Sequence, residues 1–256
     1  MKKGIDADYG KIHYQMRGKG RPLLFLHGWG QSSETFSGII SRFEKNHLVI
    51  SIDLPGFGKS PEPSRPLDLT DYVDGVVKVL AAERIKNPVV IGHSFGGRIA
   101  LRLAERGKAS ALVLVSPAGI RRRSLKRFLK IRSYKLKKLI LRIISKEKYR
   151  SLVEKSGSRD YRNASPVMKG TLSNVVSEDL RKVMKRIKTR TFLLWGIHDE
   201  ETPFRDGRLM ERLIQNSVMI PFYESGHFCY IEEEIKFIKT LERILSEDDL
   251  WKQPAK

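Results

Sequence analysis

The feature that most constrains this chain is a serine between two glycines, placed where an apolar strand is expected to meet a helix. The pentapeptide Gly92-His93-Ser94-Phe95-Gly96 follows the apolar run at 88–91 and precedes a helical pattern over 98–106. A G-x-S-x-G sequence in that context is typical of a nucleophile elbow, a sharp turn that exposes the serine hydroxyl above a sheet. The flanking glycines let the turn close without a Cβ clash. The helix would then place its positive dipole end beside any negative charge that develops at Ser94.

Strand and helix patterns alternate along most of the chain. An opening hairpin is predicted over 2–7 and 10–18, and mainly apolar runs predict strands at 22–26, 48–54, 88–91, 111–115, 191–196 and 218–223. Helical patterns run from Ser32 or Ser33 to about Glu44, from Asp68 or Thr70 onward, and over 98–106, 204–215 and 232–246. This order predicts an α/β fold with a mostly parallel, doubly wound sheet.

The net charge of +20 is concentrated in one block, residues 120–188. That block holds 23 lysines and arginines but only five aspartates and glutamates. A contiguous shift of this size indicates a separate structural unit. We therefore predict a basic helical cap over 120–188, inserted into a core domain formed by 1–119 and 189–256.

Three functions stay open for the basic cap, which carries an apolar stripe at helical spacing. The stripe could pack on the body of the protein and leave the basic residues in water. It could instead lie on an anionic membrane surface. A third possibility is that the charge selects an acidic substrate or partner. Nucleic acid is not expected, because neither an aromatic platform nor a recognised binding motif accompanies the charge.

Composition and spacing exclude several classes of protein. Cys229 is the single cysteine, which excludes an internal disulfide framework and CxxC metal sites. The histidines show no H-x-x-x-H or H-E-x-x-H spacing, so no metal is predicted. The N-terminal residues do not form a signal peptide and no apolar run reaches 18 residues, so we expect a cytoplasmic protein.

Two later positions meet the requirements of serine chemistry. A serine hydroxyl needs a histidine to accept its proton, and the histidine needs an acid that holds its tautomer. Asp199 comes just after one predicted strand, and His227 comes just after the next. Both would lie at carboxyl ends of strands, in the chain order serine, acid, histidine. Glu200 and Glu201 remain alternative candidates for the acid.

Five short pieces occur in a characteristic order. They are Leu26-His27-Gly28-Trp29-Gly30, the run 53–60, Gly92-His93-Ser94-Phe95-Gly96-Gly97, Trp195-Gly196-Ile197-His198-Asp199 and Gly226-His227-Phe228. Together they resemble the α/β-hydrolase superfamily, and within it small bacterial hydrolases with a helical cap. This resemblance implies that Ser94 is the nucleophile, His227 the general base and Asp199 the orienting acid. It also implies an oxyanion hole formed by the backbone N–H groups of Trp29 and Phe95.

The resemblance implies a serine hydrolase that needs no cofactor and acts on a small acyl substrate. His27, Gly28, His93 and Phe228 are the expected residues of its substrate pocket. Relatives that displace halide or open epoxides carry aspartate where this chain has Ser94, so transfer of an acyl group is expected. Hydrolysis of a carboxylic ester is the first hypothesis.

Two other functions are compatible with the same residues. Similar folds cleave carbon–carbon bonds of vinylogous diketo acids or eliminate pyruvate, and the arginines at 121–123 could hold the carboxylates of such substrates. A ligand-binding protein without catalysis on the same scaffold is the third hypothesis. The apparently complete set of Ser94, Asp199 and His227 argues against it.

Overall fold

The computed structural model describes residues 2–121 and 158–247, and within them the strands form one sheet. The strands are β1 (Lys2–Ala7), β2 (Gly10–Arg17), β3 (Arg21–Leu26), β4 (His47–Asp53), β5 (Val89–His93), β6 (Ala111–Val115), β7 (Arg190–Gly196) and β8 (Ser217–Phe222). They lie in the order β1-β2-β4-β3-β5-β6-β7-β8. β1 and β2 form the predicted hairpin, β2 pairs antiparallel with β4, and the remaining neighbours are parallel. The predicted mostly parallel sheet is therefore confirmed.

The described helices lie between strands or after the last strand, as the alternating pattern predicts. They are α1 (Ser37–Phe43), α2 (Leu69–Ala82), α3 (Phe95–Glu105), α4 (Arg159–Asn163), α5 (Pro166–Ser177), α6 (Arg181–Met184), α7 (Phe204–Leu213), α8 (Cys229–Glu232) and α9 (Glu234–Leu245). Two features at the starts of these helices were not predicted. The helix expected from Ser32 or Ser33 begins as a 3₁₀ turn at Ser33–Phe36, and the C-terminal helix is preceded by the short α8. In the described part of the chain, no helix has the length and apolar character required to cross a membrane.

Helices cover both faces of the sheet, which explains why its central strands are wholly apolar. Successive residues of β3 alternate between two buried clusters: Leu24 and Leu26 belong to one, Leu23 and Phe25 to the other. The first cluster includes apolar residues of α2 and α3, and the second includes those of α1 and α9. The doubly wound arrangement is thus confirmed.

The start of α2 shows how local sequence sets an element boundary. The side chain of Asp68 accepts a hydrogen bond from the backbone N–H of Asp71, and the Asp71 side chain accepts one from the N–H of Asp68. This reciprocal capping box satisfies two N–H groups at the helix start. Of the two starting residues predicted, Asp68 is the N-cap.

The insertion between β6 and β7 is described only from residue 158 onward. Residues 122–157 contain most of the predicted apolar stripe and its flanking cations, and those predictions lie outside the described residues. In the last part of the insertion, Leu180, Val183, Met184 and Ile187 are buried in the same cluster as apolar residues of α3. The N–H of Leu180 also donates to the carbonyl oxygen of Gly119. The described part of the insertion therefore packs on the core of the protein, and the boundary between 188 and 189 stays a prediction.

Candidate active site

The serine lies at a strained turn between β5 and α3. Ser94 has φ 48° and ψ −106°, a left-handed φ that non-glycine residues seldom adopt. Ser94 is half-buried, and its side chain does not cap α3. The hydroxyl therefore accepts no hydrogen bond from the N–H groups at the start of the helix. A Cβ at Gly96 would lie 2.1 Å from the carbonyl oxygen of Leu26, so only glycine lets α3 approach β3 this closely. The sequence around Ser94 thus forms the predicted elbow, strained at the serine itself.

The structure brings the predicted acid and histidine together. Nδ1 of His227 lies 2.9 Å from Oδ2 of Asp199, and both side chains are almost completely buried. Asp199 follows β7 and His227 follows β8, two adjacent parallel strands whose carboxyl ends share one edge of the sheet. An ionised Asp199 therefore accepts the Nδ1 proton, which leaves Nε2 unprotonated on the opposite side of the ring, where Oε2 of Glu201 lies 3.4 Å away.

Hydrogen bonds keep the carboxylate of Asp199 ionised in spite of its burial. Burial alone would raise the pKa of Asp199, but hydrogen bonds and the nearby His227 outweigh that effect and lower the pKa. Oδ1 accepts the backbone N–H groups of Glu201 and Thr202 at 2.9 and 2.8 Å. Oδ2 accepts from the Thr202 hydroxyl at 2.8 Å in addition to His227. A negative Asp199 is thus available to stabilise an imidazolium at His227.

Thr202 is a site residue that the sequence interpretation missed. Its backbone and hydroxyl both donate to Asp199, and its carbonyl oxygen accepts from Nε1 of Trp195 at 2.6 Å. Its Oγ1 also lies 3.3 Å from Nδ1 of His227. The sequence feature that could have indicated Thr202 is its position three residues after Asp199. At that spacing in a tight turn, a hydroxyl can donate a hydrogen bond to the carboxylate.

The loops that carry Asp199 and His227 pack directly on one another. A Cβ at Gly196 would lie 2.1 Å from the carbonyl oxygen of Gly226, so the end of β7 must be glycine for the two loops to meet. The N–H of His198 donates to the carbonyl oxygen of Ser225 at 3.0 Å. These backbone contacts position the two side chains before any substrate binds.

Two consecutive glutamates accept hydrogen bonds from the loop that carries His227. Glu232 accepts the N–H of Gly226 at 2.5 Å and that of Phe228 at 3.3 Å. Glu233 accepts the N–H of Glu224 and the hydroxyl of Ser225. Their carboxylates satisfy donors that an irregular loop cannot pair with itself.

The two residues predicted to donate to an oxyanion are neighbours. The ring centroids of Trp29 and Phe95 are 5.5 Å apart, and Trp29 also packs edge-on against Phe57 at 4.9 Å. Phe95 is the first residue of α3, where an N–H has no acceptor within the helix. This arrangement is compatible with the predicted pair of backbone donors.

Two histidines predicted for the pocket, His27 and His93, are buried and contact backbone groups of the protein. His27 is fully buried: its Nε2 accepts the N–H of Leu54, and its Nδ1 lies 2.8 Å from the carbonyl oxygen of Gly28. Burial lowers the pKa of His27 to about 4. The same cause lowers the pKa of His93 to about 3, and its Nε2 lies 3.0 Å from the carbonyl oxygen of His227. Both rings make their hydrogen bonds inside the protein, and substrate contact by either of them stays a prediction.

The other two pocket predictions lie beside the site. Gly28 is buried, and its N–H donates to Oε1 of Gln31, whose amide donates in turn to the Tyr230 hydroxyl. Phe228 is partly buried, with its ring centroid 5.2 Å from that of His227. Phe228 is therefore positioned to line a pocket, whereas Gly28 shapes a loop. In residues 2–121 and 158–247, no group of three or more metal-binding side chains comes together.

We expect Thr202→Val to lower kcat by ten- to a hundredfold, because a buried carboxylate loses one of its charged hydrogen bonds. Thr202→Ser keeps the hydroxyl and serves as the control. Kinetics across pH 5 to 9 provide the measurement, and equal effects of the two substitutions would contradict this role.

Sequence comparisons extend over nearly the whole chain. A model of the alpha/beta hydrolase family matches residues 23–238. The AB hydrolase superfamily protein YisY of Bacillus subtilis strain 168 is 28% identical over 246 residues, covering 86% of this chain and 89% of that protein. The pimeloyl-(acyl-carrier protein) methyl ester esterase of Aliivibrio salmonicida is 24% identical over 259 residues, covering 93% of this chain and 97% of that protein.

Comparison with solved structures finds the same architecture. The esterase EaEST from Exiguobacterium antarcticum superposes with a TM-score of 0.72 at 25% identity. The superposition covers 96% of this chain and 100% of the esterase.

Proposed function

The chain belongs to the alpha/beta hydrolase family, and from that premise we propose that it is a serine hydrolase that cleaves a carboxylic ester or a related acyl bond. The observation that carries this proposal is the buried pair in which Nδ1 of His227 lies 2.9 Å from Asp199. An imidazole held in this way has its other nitrogen available as a base for serine. The esterase relatives in Aliivibrio salmonicida and Exiguobacterium antarcticum support an ester as the substrate class.

In the proposed reaction, Oγ of Ser94 attacks the substrate carbonyl while Nε2 of His227 takes the hydroxyl proton. Negative charge then develops on the carbonyl oxygen, where the N–H groups of Phe95 and Trp29 would each contribute about 3–4 kcal/mol. Collapse of this intermediate breaks the bond to the leaving group, which receives the proton from Nε2. Water deprotonated by His227 then releases the acid and restores Ser94.

Carbon–carbon cleavage or pyruvate elimination on a carboxylate-bearing substrate is the second candidate, and its predicted anion-binding residues support it weakly. Nη1 of Arg121 donates a hydrogen bond to the carbonyl oxygen of Ser177. Part of the Arg121 guanidinium is therefore already bound within the insertion. Arg122 and Arg123 lie outside the described residues. The ester hypothesis requires no such anion site and is therefore preferred.

We expect neutral p-nitrophenyl esters of acyl chains from two to eight carbons to be hydrolysed, and a vinylogous diketo acid to be left intact. Release of nitrophenolate measures the first reaction, and loss of the dienolate absorbance measures the second. Faster turnover of the diketo acid would reverse the order of the two candidates. Binding of either compound without turnover would instead favour the non-catalytic ligand-binding function.

A further inference from the structure

We propose that Glu201 is a specificity-determining residue that favours esters with a cationic leaving group and disfavours those with an anionic one. This inference rests on the proposed function, because it assigns a substrate class to the same site. Oε2 of Glu201 lies 3.4 Å from Nε2 of His227, on the side of the imidazole ring away from Asp199.

The atom that Glu201 approaches is the one that meets the leaving group. In serine hydrolysis, Nε2 returns the proton of the serine to the departing oxygen. A leaving group must therefore come within hydrogen-bond distance of Nε2, and its next few atoms lie within several ångströms of the Glu201 carboxylate. The acyl group, bound to the opposite side of the carbonyl carbon, is farther from this charge.

The position of Glu201 is fixed although its side chain is exposed. Its backbone N–H donates to Oδ1 of Asp199 at 2.9 Å, which ties the residue to the buried acid. The side chain itself is 67% exposed and is thus open to an incoming molecule. Among the ion pairs within residues 2–121 and 158–247, its contact is with His227 and with no lysine or arginine.

The carboxylate at this position contrasts with the strongly basic chain around it. A glutamate side chain is negative at neutral pH, and the protein as a whole carries +20. Long-range attraction would therefore draw anions toward the protein, whereas the local charge at the catalytic base repels them. At a few ångströms the local charge dominates, because screening by salt weakens distant charges most.

Three acetates of similar size and different charge test this inference: acetylcholine, its neutral isostere 3,3-dimethylbutyl acetate, and 2-acetoxyethanesulfonate. Their leaving groups carry a trimethylammonium, a tert-butyl and a sulfonate group. At an ionic strength of about 0.15 M, where charges more than about 8 Å away are largely screened, we expect kcat/KM of the wild type to fall in that order, by about three- to tenfold at each step. In Glu201→Gln these differences should largely disappear, while hydrolysis of the neutral ester continues.

Glu200→Gln is the matched control, because the neighbouring Glu200 is also exposed but makes no contact with His227 in the described structure. We expect it to keep the wild-type order of the three esters. An equal loss with all three esters in Glu201→Gln would overturn the inference and make Glu201 part of the proton-transfer machinery. The same order in wild type and Glu201→Gln would also overturn it. Failure of the wild type to hydrolyse any neutral ester would instead contradict the proposed function.

Discussion

Replacing Ser94 by alanine is expected to reduce kcat for ester hydrolysis by about 10⁴- to 10⁶-fold, because it removes the atom that attacks the carbonyl. The same variant should lose covalent labelling by a fluorophosphonate, in which the serine oxygen displaces fluoride from phosphorus. Intact-protein mass spectrometry detects the adduct directly. An equal adduct in wild type and Ser94→Ala would assign the nucleophile to another residue.

Two controls separate this chemical effect from damage to the fold. Ser94 has a positive φ, so alanine retains the backbone strain while glycine relieves it. Ser94→Ala and Ser94→Gly should therefore differ in thermal stability but lose activity alike. Ser110→Ala removes a buried hydroxyl that lies just before β6 and has no hydrogen-bond partner among the described residues, and this variant should label as the wild type does.

The second large loss of activity is expected on substitution of Asp199. We expect Asp199→Asn to lower kcat by about 10⁴-fold with little loss of fold, since the amide has almost the same shape as the carboxylate. The amide can donate to Nδ1 of His227, which favours the tautomer protonated on Nε2. That tautomer cannot accept a proton from Ser94. Kinetics with a neutral ester and the thermal midpoint provide the two measurements.

This experiment also decides between the three neighbouring carboxylates. Oδ2 of Asp199 contacts Nδ1 of His227, Glu201 approaches Nε2, and Glu200 is exposed on the same loop. The geometry predicts a large loss for Asp199→Asn and none for Glu200→Gln with a neutral ester. A nearly active Asp199→Asn, together with an inactive variant of either glutamate, would move the acid to that glutamate.

Much of the scaffold was predictable because local sequence carries the relevant physics. Wholly apolar runs such as 111–115 indicate strands buried on both faces, and the order of strands and helices then limits the topology. Asp68 was one of two predicted helix starts, and it was within reach of sequence analysis because its capping partner is only three residues away. The loop positions of Asp199 and His227 followed from the same logic, since carboxyl ends of parallel strands share one edge of a sheet.

The roles of individual polar side chains depended on contacts between distant segments. The resemblance implied His27 and His93 as pocket residues, and only the structure shows that Nε2 of His27 accepts from Leu54 and that Nε2 of His93 lies beside the His227 carbonyl. The sequence offered Glu201 only as an alternative acid and related Thr202 only to Asp199 by spacing. Their contacts with His227 exist only after β7 and β8 pair.

The sequence by itself determined where the reactive residue types lie along the chain and which strand each follows. Only the tertiary structure decided which of them touch. The distinction is physical: strand and helix patterns arise from interactions over a few residues, whereas the hydrogen bond between His227 and Asp199 joins residues 28 positions apart. Its geometry depends on backbone packing such as the contact of Gly196 with the Gly226 carbonyl, which no local pattern encodes.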